Sequence, residues 1–140
     1  MKLGLSLAGL ALLSLAPHLM AQGGTLDSAV ERARLAFHGH DVPALVEGSD
    51  TVRLSIPGTA TVVSLRPGQA QRLLEQYLGP SEERGLTLVG MRRLADDHAY
   101  AELERSYVVK GTSEERRERV ILGFRWLGQT WCLREVRVTP

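Results

Sequence analysis

The stretch RARLAFHGHD, residues 32–41, followed by VPAL at 42–45, decides how the chain begins to fold. Upstream of it Leu26, Ala29, Val30 and Ala33 recur at the spacing of one helix face, and Ala36 and Phe37 extend that face. The periodicity predicts a first helix from about Leu26 to His38, with Thr25 as its N-cap and Phe37 toward the core. Gly39 is expected to end it in the left-handed conformation that follows many helices. Asp41 then stands where it can cap a short second helix from Val42 to about Glu47, with Pro43 in its first turn and Gly48 after it.

The same stretch raises a competing chemistry, because His38, His40 and Asp41 fall within four positions. Two histidines one residue apart share a face on a strand but diverge by about 200° on a helix. A zinc centre needs three or four ligands, and the only other histidine past residue 21 is His98, in an expected turn beside Asp96 and Asp97. No metal and no other cofactor is therefore expected, and His38 and His40 read as surface residues near the corner.

At the amino end, Lys2 precedes an apolar run from Leu3 to Leu15, Pro17 interrupts it, and Leu19-Met20-Ala21 offers a cleavage site. This is the layout of a secretory signal peptide over residues 1–21, and it implies export to the periplasm or medium. The alternative is a retained anchor, although the run is shorter than the roughly 20 residues a spanning helix needs. After cleavage no stable membrane anchor is expected. Gln22, Gly23 and Gly24 form a short lead, and residues 25–138 form one domain. With Lys2 gone, the 17 basic and 16 acidic side chains come into balance, so nothing favours nucleic acid. The single cysteine, Cys132, cannot form an internal disulfide, and it reads as a small buried strand residue.

Beyond Gly48 the pattern predicts strands at 51–56 and 59–65, then a helix from about Pro67 to Leu78. Strands follow at 86–93, 98–109, 119–127 and 130–138, with a solvated, charged hairpin tip at 111–118. Helices first and a meander of strands last argue an α+β fold with the helices on one face of an antiparallel sheet. Gly90 and Gly123 lie inside strands, where glycine often marks a bend or bulge.

Ala36-Phe37, then Gly39-His40-Asp41, then Ala44-Leu45 resemble the opening of the nuclear-transport-factor-two-like superfamily, which includes ketosteroid isomerases and polyketide cyclases. The helix AQRLLEQYL and the closing Trp131–Val138 look similar too, so the resemblance spans about residues 25–138. Within the superfamily the chain looks most like small exported bacterial domains of unknown function. The resemblance implies a cone: a curved antiparallel sheet wrapped around the helices, often with a pocket at its open end. It also implies dimers through the outer sheet face. Isomerase members use acidic residues and a tyrosine inside the pocket. No inward acid is evident here by alternation, so no catalytic residue is carried over.

Candidate site residues come from the strand patterns. Ala99, Ala101, Leu103, Tyr107 and Val109 share a face that Arg105 interrupts. Cys132, Val136 and Val138 share one with Arg134. An arginine in an apolar row needs a partner, because an unpaired buried charge is very costly. One reading has Arg105 and Arg134 lining a cavity, with Tyr77, Tyr107 and Trp126 near them, and gripping a small anionic ligand. The other pairs them with carboxylates such as Glu75 or Glu31, or lets them reach a rim. Trp131 and Leu133, on the opposite face to Val136, suggest an apolar outer patch and hence a homodimer. The expected role is a non-enzymatic binding or assembly module for a small anionic or apolar ligand. The alternative is a small lyase or isomerase working in the cone.

Overall fold

The computed structural model describes residues 24–140, so the expected signal peptide lies outside the described residues. Helix α1 is Leu26–His38, capped by the Thr25 hydroxyl, which accepts from the Ser28 amide. Helix α2 is Val42–Val46, where the Asp41 carboxylate accepts from the Ala44 amide. Strands β1 (Val52–Ser55) and β2 (Val62–Leu65) form a hairpin, and α3 (Pro67–Leu78) comes next. Four long strands complete the chain: β3 (Ser81–Ala95), β4 (His98–Val109), β5 (Glu115–Trp126) and β6 (Trp131–Thr139).

One six-stranded sheet results, in the order β2-β1-β6-β5-β4-β3. It is mixed rather than wholly antiparallel, because β1 runs parallel to β6 while every other pair is antiparallel. The parallel pair arises because β1 belongs to the hairpin that precedes α3, and it joins the end of the later meander from outside.

The helices cover one face of this sheet. A row of inward residues crosses it from Ala101 to Leu122 to Val136 to Leu54, each opposite the next and all four inaccessible to solvent. Phe37, Leu74 and Leu78 bring α1 and α3 down onto the same core. Burying such side chains contributes about 1.5–3 kcal/mol each, so packing holds the fold without a disulfide.

Two departures from regular geometry shape the interior. At the end of α1 the left-handed residue is His40 (φ 56°), not Gly39 (φ −82°). The His40 amide donates to Phe37 O (3.1 Å) and the Asp41 amide to Ala36 O (2.8 Å), which closes the helix with the paired bonds of a Schellman turn. The register between β5 and β6 also slips between Gly123 and Phe124. A Cβ on Gly123 would lie 3.0 Å from that of Glu135, tighter than ordinary contact, so a side chain here would have to push the bulged strand aside.

Candidate functional site

Arg105 is the largest fully buried side chain of the domain, and its environment is charged. Directly across β4–β5 it faces Glu118, and its Nη1 lies 3.4 Å from Glu118 Oε2. From β3, Glu83 takes the other side of the guanidinium, accepting from Nε at 2.9 Å and from Nη2. Nη1 donates to the Tyr77 oxygen at 2.9 Å. The Tyr77 hydroxyl in turn donates to Glu118 Oε2, and the Tyr107 hydroxyl to Glu118 Oε1 at 2.6 Å. His40 Nε2 sits 2.9 Å from Glu83 Oε1. Three rings pack against the guanidinium, with the Tyr107 centroid at 4.0 Å, Tyr77 at 5.4 Å and Phe37 at 5.6 Å.

Five elements or corners thus converge on one cation: α3 through Tyr77, β3 through Glu83, β4 through Arg105 and Tyr107, β5 through Glu118, and the α1–α2 corner through His40. Burial pulls the Arg105 pKa down, but the bonds to Glu83 and the nearby acidic groups outweigh it, so the guanidinium is held above its usual value. Burial, reinforced by the bond to Glu118, pushes both phenols up, Tyr77 furthest. Both tyrosines stay protonated and act as donors to Glu118.

Arg105 therefore sits in the apolar row as the alternation predicts, but its partners are Glu83 and Glu118 rather than Glu75 or Glu31. These two are the inward acids: Glu118 continues the row of Val120, Leu122 and Phe124 inside a run that reads as a charged hairpin tip, and Glu83 is hidden by a register slip. Of the residues grouped with Arg105, the structure brings Tyr77 and Tyr107 to it. Arg134 is elsewhere. The Gly123 bulge leaves it unpaired in the β5–β6 register and turns it out of the row, which Leu133 enters instead. Arg134 bonds Asp50 and the Thr51 hydroxyl at the surface. The two arginines do not line one cavity.

The same bulge overturns the expected outer patch, since Trp131 and Leu133 are 5% and 3% exposed, in the core. Trp126 is half-buried and meets Trp131 edge to face at 5.6 Å. His40 is half-buried on Glu83 rather than a free surface residue. His38 is half-buried as well, with its Nδ1 buried and unbonded.

A cavity of about 950 Å³ forms a groove outside this cluster. Its walls are α1 and α2, and its floor is Leu45, Phe124, Trp131, Cys132 and Leu133. Arg32, Asp41 and Glu47 mark its rim. Cys132 is buried, as expected, and burial pushes its thiol pKa up, which keeps it protonated and weakly nucleophilic. Among the described residues no group of three histidine, cysteine or acidic side chains could hold a metal ion.

No known family profile matches the chain, and no curated protein matches it. Solved structures do. A ketosteroid isomerase-like protein from Erwinia carotovora superposes with a TM-score of 0.68 at 14% identity, over 86% of this chain and 99% of that one. A DUF4783 family protein from Bacteroides ovatus gives 0.62 at 12% identity, over 76% and 90%. A protein of ketosteroid isomerase-like fold from Catenulispora acidiphila, solved with trimethylamine, gives 0.61 at 17% identity, over 83% and 87%. A curved sheet around three helices, in this strand order and with these likenesses, is the nuclear-transport-factor-two-like, or ketosteroid isomerase-like, fold.

Proposed function

We propose that this chain is an exported, non-enzymatic binding module whose ligand is a small apolar or amphiphilic molecule held in the groove between α1, α2 and the start of β6. One observation carries the reading. The acids and tyrosines inside the cone are bound to one another around Arg105, which has no solvent exposure, while an open cavity with an apolar floor lies at the other end of the sheet. Ligand sites are typically concave and mostly apolar, with a few polar groups for orientation. The groove is concave with a mixed lining, with Trp131 and Phe124 beneath and Arg32, Asp41 and Glu47 at its edge. Export is supported by the basic, apolar and small-residue layout of residues 2–21.

The enzymatic alternative draws on the same cluster. Glu83, Glu118, Tyr77 and Tyr107 are the residue types that the superfamily's isomerases employ, and a small lyase or isomerase would have to open the cluster to reach them.

Anilinonaphthalene sulfonate tests the groove. Saturable fluorescence enhancement, quenching of tryptophan emission and a raised melting temperature are expected, because a ligand that binds only the folded state stabilises it. Ala44 is exposed on the groove wall, so Ala44→Trp should fill the mouth and abolish the effect without unfolding the chain. A response unchanged in Ala44→Trp would remove the groove from the proposal.

A further inference from the structure

Among the described residues, five large apolar side chains are strongly exposed, and four of them lie on β3: Leu88 (42%), Val89 (55%), Met91 (38%) and Leu94 (63%). Strand β3 is also one of the two edges of the sheet, the short β2 being the other, and its one neighbour among the described residues is β4. Leu88 and Met91 stand opposite the buried Leu103 and Ala101, yet remain open. Register slips beside Val89 and Leu94 turn those two away from the regular alternation, so the apolar patch wraps around the edge. A long apolar edge strand is a pairing surface unless something guards it.

Gly90 lies at the middle of the patch. Its φ is not left-handed, and a Cβ there would meet nothing within 4 Å. The chain's own conformation and packing do not require this glycine. Glycine in a strand also serves where another backbone approaches closely. The charges on either side are self-complementary about the same point. Arg84, six residues before Gly90, holds Glu82 only at 3.5 Å, and Asp96, six residues after it, is exposed with no ion-pair partner among the described residues.

We propose that two copies of this chain associate through the β3 edge, antiparallel about a two-fold axis at Gly90. The axis lays each apolar patch on its counterpart and sets Arg84 against Asp96 of the partner subunit. Such an interface is isologous and closes at two copies. The three register slips along β3 interrupt its outer ladder, so packing of Leu88, Val89, Met91 and Leu94 carries the contact. This interface is separate from the groove and does not depend on it. The outer sheet face, by contrast, is dominated by charge, with Arg92, Arg119, Arg125, Arg137, Glu102 and Glu135 around a concavity of about 460 Å³ that Tyr100, Ile121 and Leu94 line in part.

Sedimentation equilibrium across a wide concentration range is the test, with circular dichroism confirming the fold of each variant. A concentration-dependent dimer is expected for the natural chain, and monomer for Gly90→Gln and for Val89→Lys/Leu94→Lys. Arg84→Asp should weaken the dimer by about fivefold, as a partly exposed charge pair present twice would. The double variant Arg84→Asp/Asp96→Arg should restore it. Ile121→Lys, on the outer face, should leave it unchanged. A natural chain that is monomeric throughout, or a dimer that survives Gly90→Gln and fails in Ile121→Lys, would overturn the proposal.

Discussion

The two ends of the sheet solve opposite problems. Where β3 begins and β4 ends, the space beneath the helices is filled by a cation, two carboxylates, two phenols and an imidazole. Where β5 ends and β6 begins, tryptophan and leucine form the floor of an open groove. The charged end is shut and the apolar end is open, the reverse of what transfer from water alone would favour. A buried charge is tolerable only when its partners are fixed in place, and five converging elements fix them. An apolar floor needs no such precision, so that end can be left for another molecule to cover.

The largest effect should come from cutting the hub of the closed end. Arg105→Ala leaves Glu83 and Glu118 buried without their cation, which costs about 3–5 kcal/mol, a large share of the 5–15 kcal/mol that holds a typical domain. Arg134→Ala removes only a surface bond to Asp50 and Thr51 and should cost about 1 kcal/mol or less. Urea unfolding of both variants measures the difference. Comparable losses would mean that the two arginines are not, in solution, one buried and one superficial.

The next effect is on alkaline stability. Both phenols are held protonated in the fold, chiefly by burial, while in the unfolded chain a tyrosine ionises near its ordinary value of 10.0. A group whose folded pKa is raised gives its full stabilisation below the unfolded value and loses it as pH climbs beyond. The native chain should therefore lose stability steeply once pH passes about 10. Tyr77→Phe/Tyr107→Phe should be less stable at neutral pH, having lost the donors to Glu118, but flatter above that point. Melting temperature against pH measures both limbs. An equally steep alkaline limb in the double variant would place the titrating groups elsewhere.

How much of this comparison the sequence shows depends on the bulges. The limits of α1, α3 and β4 come directly from periodicity and punctuation, and β4 also yields Arg105 in its apolar row. Glu118 is within reach, because it alternates with Val120, Leu122 and Phe124, but the charged run around it reads as a hairpin tip. Nothing local marks Ser81-Glu82-Glu83-Arg84 as strand, so β3 begins five residues before the apolar pattern does. Glu83 escapes alternation as well, since the register slips between it and Gly85. One slip at Gly123 sends Arg134 outward and brings Trp131 and Leu133 into the core, because the side-chain period of a strand is two. The glycine announces that a bulge is there, but not which residue the register skips. The groove is still harder to see, since α1, α2, β5 and β6 build it from distant segments.

The smallest expected effect concerns the stretch RARLAFHGHD, whose His40 joins the α1–α2 corner to the closed end. His40 occupies a left-handed conformation that suits glycine, next to a glycine that does not occupy it. A strained residue persists where its surroundings hold it, and here the imidazole is bonded to Glu83, the acid that also grips Arg105. The two contributions can be separated. His40→Ala loses the bond and keeps the strain, whereas His40→Gly loses the bond and relieves it. The glycine variant should therefore be the more stable of the two by about 1 kcal/mol. The loss common to both variants, relative to the natural chain, measures the contact with Glu83. If alanine proves as stable as glycine, the corner is not held left-handed, and the connection between this helix end and the buried arginine falls with it.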